Sequence, residues 1–289
     1  MELYDICIVG AGASGLASAW YLSDKGLNVA IFEQGEALKI DSLVSLEDGG
    51  ELQKIKELNP NPNIRKSHSD YQIDTSNSPI DIANFNGIGG STVLFSAHYP
   101  RFKPSDFNVF SEDGVASDWP LNYSDLKPFY ELNEYHTGLA GLMGDPQYPD
   151  VIPSMPPVPL GPMGRKLAKG FESLNWHWWP AYSAINTNNY QGRPSDDYNR
   201  PSNMGDFTGS RGSVDNTYLP KAVSKGLKIK ENCQVIKLIP NESRNSIEFL
   251  NYKDQAGNLH FCSAKVFIIA ASGIGTPRLL LSSKSQDYP

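Results

Sequence analysis

Six consecutive residues near the amino terminus have the composition of a phosphate-binding turn. Gly10, Gly12 and Gly15 follow the pattern G-x-G-x-x-G, with Ala13 and Ser14 before the last glycine. The first glycine permits a tight turn, the second lets a phosphate approach the backbone, and the third allows a helix to pack closely on a strand. Amide groups at the start of that helix would face an anion. The turn therefore predicts a dinucleotide-binding site.

The elements that must position this turn are present in the flanking sequence. Residues 5–9 are a short apolar run suited to a buried parallel strand, and residues 14–25 carry apolar side chains at helical spacing. Residues 27–32 predict a second strand, parallel to the first. Glu33 ends it, where a carboxylate can accept hydrogen bonds from an adenosine ribose diol. An acid at this position disfavours the 2′-phosphate of NADP.

The rest of the chain predicts an interrupted α/β fold. Residues 39–79 are polar and rich in Asn and Pro, which indicates a long connection. The other elements expected are helices over 125–134, 164–174 and 276–283, with Pro277 in the first turn of the last, and strands over 227–239, 246–252 and 259–270. We expect a discontinuous Rossmann-like domain, 1–105 with 221–289, around an irregular cap or substrate-side region over 106–220.

Composition excludes several classes of protein. The net charge of −7, from 25 basic and 32 acidic residues, argues against nucleic-acid binding, which needs a basic surface. No run reaches the roughly 18–20 apolar residues of a membrane span. Cys7, Cys233 and Cys262 form neither a disulfide framework nor a metal motif. We therefore expect a cytoplasmic protein without a metal site.

Three stretches in chain order resemble the glucose-methanol-choline (GMC) oxidoreductases. They are Val9–Gly15 with Glu33, Asn86–Thr92 with residues 100–102 and 118–123 after it, and the segment 270–281, AASGIGTPRLLL, close to the family's second signature. The resemblance implies extended FAD bound by Gly10, Gly12, Ala13, Ser14, Gly15, Glu33, Gln34, Gly87, Gly90, Ser91, Val235, Ala271 and Ser272.

The resemblance also implies a division of labour among these residues. The first glycine turn and Glu33 would hold the diphosphate and the adenosine ribose. Gly87, Gly90 and Ser91 match the turn beside the flavin, and the main chain of Val235 matches an adenine contact. Ala271 and Ser272 match the exit of the last strand, over the diphosphate.

Departures from the family pattern shape the functional expectation. The histidine that bonds covalently to flavin in some members is absent after Ser91-Thr92, so we expect non-covalent FAD. Residues 195–212 lack the cysteine cluster of related dehydrogenase-type members, and Ser272-Gly273 stands where Gly-Ala is usual. The family's catalytic histidine lies in a C-terminal half that has no counterpart in these 289 residues.

We therefore expect the FAD-binding portion of a flavin-dependent alcohol or sugar dehydrogenase, inactive alone, with an unidentified electron acceptor and a complementing C-terminal chain. His98 lies near enough in sequence to reach the flavin, but a structural loop histidine is favoured. His177, flanked by tryptophans, is read as part of a packed cap rather than a sugar platform. The alternatives are a non-catalytic FAD-binding protein and an NAD-dependent reductase, for which no nicotinamide site is evident.

Overall fold

The chain folds into two compact units. The structure, a computed structural model, describes residues 2–38, 58–198, 205–206 and 208–284. The first unit comprises residues 1–95, 202–207 and 213–289, and the second comprises residues 96–201 and 208–212. No helix in the described ranges is long and apolar enough to cross a bilayer.

Strands lie at both ends of the chain, and helices occupy most of its middle. In chain order they are β1 (Glu2–Val9), α1 (Ala13–Asp24), β2 (Val29–Phe32), α2 (Pro62–Arg65), α3 (Val109–Asp113), α4 (Tyr123–Thr137), α5 (Pro162–Ser173), α6 (Val214–Ser224), β3 (Lys228–Lys230), β4 (Gln234–Pro240), β5 (Ile247–Lys253), β6 (Leu259–Ile269) and α7 (Ser272–Ser283). Short 3₁₀ turns cover Gly90–Val93 and Pro104–Phe107.

A six-stranded sheet organises the first unit, in the order β3-β2-β1-β6-β5-β4. Strands β3, β2, β1 and β6 are parallel, and β4 and β5 add an antiparallel edge. In the ladder Val9 pairs with Phe32 on one side and with Ile269 on the other. Residues that follow these three positions therefore emerge side by side. The predicted parallel β-α-β unit and the mixed α/β fold are confirmed.

Alternation along the central strands separates the core into two layers. Ile8 of β1 and Ile31 of β2 pack in one cluster with Leu16 of α1 and Tyr218 of α6. The opposite faces carry Cys7, Val9, Ala30 and Phe32, in a cluster with Leu250 of β5 and Leu279 of α7. All four residues of β2 are buried, as expected for a parallel strand covered on both faces.

Three predicted boundaries differ from the structure. The strand expected over 227–239 is divided into β3 and β4, with Asn232 at φ 53° in the connecting turn. Helix α6 occupies sequence that was expected to be irregular, and α7 begins at Ser272 rather than Thr276. Pro277 consequently lies inside α7, where it removes one amide donor. Packing of Leu279 into the core favours the helix nonetheless.

The second unit contains the two predicted helices, which are confirmed as α4 and α5. Asn122 caps α4 by accepting hydrogen bonds from the amides of Ser124 and Asp125. Arg101 forms a buried bidentate ion pair with Glu134 of α4, with Nε–Oε1 and Nη2–Oε2 distances of 2.5 and 2.6 Å. This ion pair attaches the 100–102 segment to α4.

Candidate functional site

A cavity of about 520 Å³ opens in the first unit where β1, β2 and β6 end. This volume falls within the roughly 300–1,000 Å³ of typical ligand sites. The cavity brings together all the residues predicted to bind a cofactor except Gly15 and Gly87. Those that line it are Gly10, Gly12, Ala13, Ser14, Glu33, Gln34, Gly90, Ser91, Val235, Ala271 and Ser272.

The first glycine turn has no room for side chains at two of its positions. Gly10 has φ +100°, and a Cβ there would lie 2.5 Å from the carbonyl oxygen of Ala270. Its amide donates to the Phe32 carbonyl at 2.8 Å, which ties the turn to β2. A Cβ on Gly15 would overlap the carbonyl oxygen of Gly10. Gly15 therefore shapes the site by letting α1 close on the turn, although it does not line the cavity.

The second glycine turn packs directly on the first. A Cβ on Gly90, whose φ is +55°, would lie 2.8 Å from the Cα of Gly12. The Gly89 amide donates to the Ala11 carbonyl at 2.9 Å, which fixes the two turns together. Gly87 does not line the cavity, but it allows close packing of the second turn, because a Cβ there would lie 2.6 Å from the carbonyl oxygen of Glu36. At Gly10, Gly12 and Gly90 the two turns therefore present backbone to the cavity.

Two helix amino termini open on the cavity. Neither Gly12, which precedes α1, nor Ala271, which precedes α7, supplies a side-chain cap, and neither helix has an acid in its first turn. The leading amides of a helix have no partner within the helix, and its dipole favours anions there. These amides fit the diphosphate of a dinucleotide, which would accept from them without intervening side chains.

Glu33 is a buried carboxylate at the end of β2, 7% exposed. Oε2 accepts from the Ala11 amide at 2.9 Å, and Oε1 accepts from the Gly35 amide at 3.0 Å. Burial raises the pKa of Glu33, against the opposing effect of these backbone hydrogen bonds. Each carboxylate oxygen can accept more than one hydrogen bond, so capacity remains for ribose hydroxyls.

The raised pKa of Glu33 predicts a pH dependence for dinucleotide binding. The free chain loses stability as pH rises from the ordinary value of 4.5 through the raised pKa, because the charge must then be buried. Ribose hydroxyls that donate to the carboxylate favour the charged form, so binding releases protons. We expect affinity to rise with pH through this window and Glu33→Gln to abolish the rise. Calorimetric titrations between about pH 5 and pH 8 test this, and a flat profile for the parent chain contradicts it.

Several cavity residues were not found by sequence reasoning. Tyr71 comes from the polar connection over 39–79, which carried no periodic signal, and residues 39–57 of that connection lie outside the described ranges. Asn84 and Phe85 directly precede the second glycine turn. Cys233 lines the cavity directly before β4. Arg278 also lines it, and its place in the AASGIGTPRLLL segment was the one available signal.

The two histidines considered from sequence belong to the second unit. His98 lines a smaller pocket there, of about 270 Å³, with Arg101 and Glu134. His177 is exposed, with Nε2 2.8 Å from Asp145 Oδ1 and its ring stacked on Trp179. Within the described part of the chain, no group of three His, Cys, Asp or Glu side chains is arranged to hold a metal ion.

Comparison with known sequences shows to which family the chain is related. The sequence model of the GMC oxidoreductases matches residues 4–285. The 2-methyl-1,2-propanediol dehydrogenase of Mycolicibacterium austroafricanum is 32% identical over 290 residues, 99% of this chain and 52% of that protein. The fructose dehydrogenase large subunit of Gluconobacter japonicus is 28% identical over 307 residues, 99% of this chain and 55% of that protein. The chain thus spans about half the length of the curated relatives it matches.

Solved structures agree with this relationship. Pyridoxine 4-oxidase from "Mesorbium loti" matches with a TM-score of 0.63 at 21% identity, over 97% of this chain and 52% of that chain. Formate oxidase from Aspergillus oryzae matches with a TM-score of 0.54 at 17% identity, over 98% of this chain and 48% of that chain. At these identities the likeness concerns the fold. The family match covers nearly the whole sequence, and the chain belongs to the GMC oxidoreductase family.

Proposed function

We propose that this chain binds FAD non-covalently in the cavity and is the FAD-binding portion of an enzyme that oxidises a CH–OH group of an alcohol or sugar. The observation that carries the proposal is the meeting of two glycine turns, packed on one another, with two helix amino termini without side-chain caps around the buried Glu33. The formate oxidase neighbour is described as containing FAD. The relatives named as dehydrogenases of a diol and of fructose support the substrate class.

The proposed roles follow from the chemistry of each wall. The amides of the first glycine turn and of α1 bind the diphosphate, and the Glu33 carboxylate accepts from the ribose hydroxyls. The turn at Gly90 and Ser91 lies alongside the flavin, and Val235 contacts the adenine. Ala271 and Ser272 complete the diphosphate site. In these roles the residues bind and orient the cofactor and exclude water from it.

FAD held by these residues would supply the redox chemistry, as the acceptor of hydride from the substrate carbon. The proton of the substrate hydroxyl requires a base with a pKa near the working pH. We propose that a histidine outside this sequence supplies that base, so that the chain alone lacks the reaction. The proposal includes a complementing chain, an electron acceptor and a cytoplasmic location. It also includes an FAD-binding domain over 1–105 and 221–289, with a cap or substrate-side region over 106–220.

The proposed non-covalent attachment rests on the residues after the second glycine turn. Ser91 and Thr92 are followed by Val93 and Leu94, both buried and both without a nucleophilic side chain. We therefore expect the purified chain to show flavin absorbance and to release all of it into the supernatant when the protein is denatured and precipitated. Flavin that remains with the precipitate contradicts the non-covalent mode, and released FMN instead of FAD contradicts the cofactor.

Flavin reduction separates the two candidate functions, namely the FAD-binding portion of an oxidoreductase and a non-catalytic FAD-binding protein. The flavin of the loaded chain is expected to stay oxidised when an alcohol or sugar is added to the chain alone. Reduction should appear only once a second chain that corresponds to the C-terminal half of the relatives is supplied. A non-catalytic FAD-binding protein would show no reduction in either case, whereas reduction by the chain alone contradicts the proposed inactivity.

A further inference from the structure

Arg278 is a cation on the wall of the cavity. It lies on α7, and its side chain is exposed. Its guanidinium carbon lies 4.3 Å from the centroid of the Tyr71 ring. Within the described ranges no carboxylate forms an ion pair with the Arg278 guanidinium. Arg278 is thus oriented by an aromatic face while its hydrogen-bond donors stay available.

Tyr71 is itself held by a buried network. The preceding residue, Asp70, accepts from Nε and Nη2 of Arg65 at 3.0 and 2.5 Å, and each of the two side chains is 3% exposed. Asp70 also accepts from Asn86 Nδ2 at 2.9 Å, and Arg65 donates to the carbonyl of Asn84. Because Asn84 and Asn86 line the cavity, this network fixes Tyr71 relative to the same wall.

Two charged side chains line the described part of the cavity wall. Among the described residues that line it, Arg278 is the one basic side chain and Glu33 the one acidic side chain. The glycine turns and helix amino termini provide amide donors but no formal charge. A dinucleotide diphosphate is a dianion, for which a guanidinium is the strongest side-chain partner.

We propose that Arg278 is the charged anchor for the diphosphate of the bound dinucleotide, and that Tyr71 is a positioning residue that holds the guanidinium towards the cavity. This inference rests on the proposed function, since it requires an anionic dinucleotide in the site. It adds a specificity element to the backbone turns, because a fixed cation favours the diphosphate-containing cofactor over a flavin without it.

Calorimetric titration of the flavin-free full chain with FAD, at low and high salt, tests this assignment. We expect Arg278→Gln to weaken FAD binding by about tenfold to a hundredfold at low salt and to flatten its salt dependence. Arg278→Lys keeps the charge and should give an intermediate loss. Lys284→Gln, a matched loss of charge just after α7 and away from the cavity, should bind like the parent.

Variants of Tyr71 test the positioning role separately. Tyr71→Leu removes the ring and should weaken FAD binding about two- to fivefold, whereas Tyr71→Phe keeps the ring and should cause a smaller loss than Tyr71→Leu. Thermal unfolding of each flavin-free variant shows whether its fold is intact. If the parent binds FAD and Arg278→Gln binds equally well, or keeps the salt dependence of the parent, the assignment is wrong while the proposed function stands. If the parent itself does not bind FAD, the proposed function fails and this inference fails with it.

Discussion

Gly15→Ala is expected to abolish FAD binding and to lower the free energy of unfolding by about 3 kcal/mol. Its Cβ would overlap the carbonyl oxygen of Gly10, a backbone atom that is itself fixed by the φ of +100° at Gly10. Relief would require α1 to move away from β1, which would displace the amides that face the cavity. Chemical denaturation followed by circular dichroism measures the first effect, and a FAD titration measures the second.

Gly170→Ala is the matched control for this substitution. Gly170 also lies within a helix, α5, and no atom lies within 4 Å of the position that its Cβ would take. Alanine should therefore raise helix propensity and stabilise the chain by up to about 1 kcal/mol. If the two alanine variants have the same stability, or if Gly15→Ala binds FAD like the parent, close packing of α1 on the first glycine turn is not required.

Glu134→Gln is expected to lower the free energy of unfolding by about 3–5 kcal/mol. The substitution leaves the Arg101 guanidinium buried without its anion, and a buried unpaired charge is costly. Replacing Arg101 and Glu134 together by methionine should cost less than Glu134→Gln alone, since no charge is then left behind. Urea denaturation of the single and double variants measures the difference.

Glu131→Gln provides the comparison one turn earlier on α4. Glu131 pairs with Lys127 at 3.9 Å, and both side chains are about half exposed. An exposed pair of this kind contributes at most about 0.5 kcal/mol. Equal losses in Glu134→Gln and Glu131→Gln would show that burial of the Arg101–Glu134 pair does not govern its contribution.

The part of the site that sequence predicts is the part set by local chain chemistry. The glycines at 10, 12 and 15 are required by the turn itself, and the apolar runs around them determine β1, α1 and β2 over short distances. The position of Glu33 follows from the parallel pairing of those strands. These features could therefore be recognised before any long-range contact was known.

The features that the sequence did not predict depend on contacts between distant segments. Tyr71 faces the cavity because Arg65 and Asp70 form a buried pair, a result that the polar sequence around them does not indicate. Helix α6 was hidden by the weak helix formers that follow Val214 and by Pro220 within it. Packing of Tyr218 against Trp20 of α1, with ring centroids 5.6 Å apart, supplies stabilisation that local propensity lacks.

Calorimetric titration of the flavin-free chain with FAD and, separately, with NAD tests most directly whether the cavity is a FAD site. The cavity, with its two glycine turns and the buried Glu33, predicts saturable binding of one dinucleotide per chain. Membership of the GMC oxidoreductase family predicts that this dinucleotide is FAD and that NAD binds much more weakly. Gly90→Val, which would place a branched side chain against Gly12, should eliminate the FAD signal. Absence of saturable FAD binding by the folded parent chain, or equal affinity for NAD, would show that this cavity is not a FAD site.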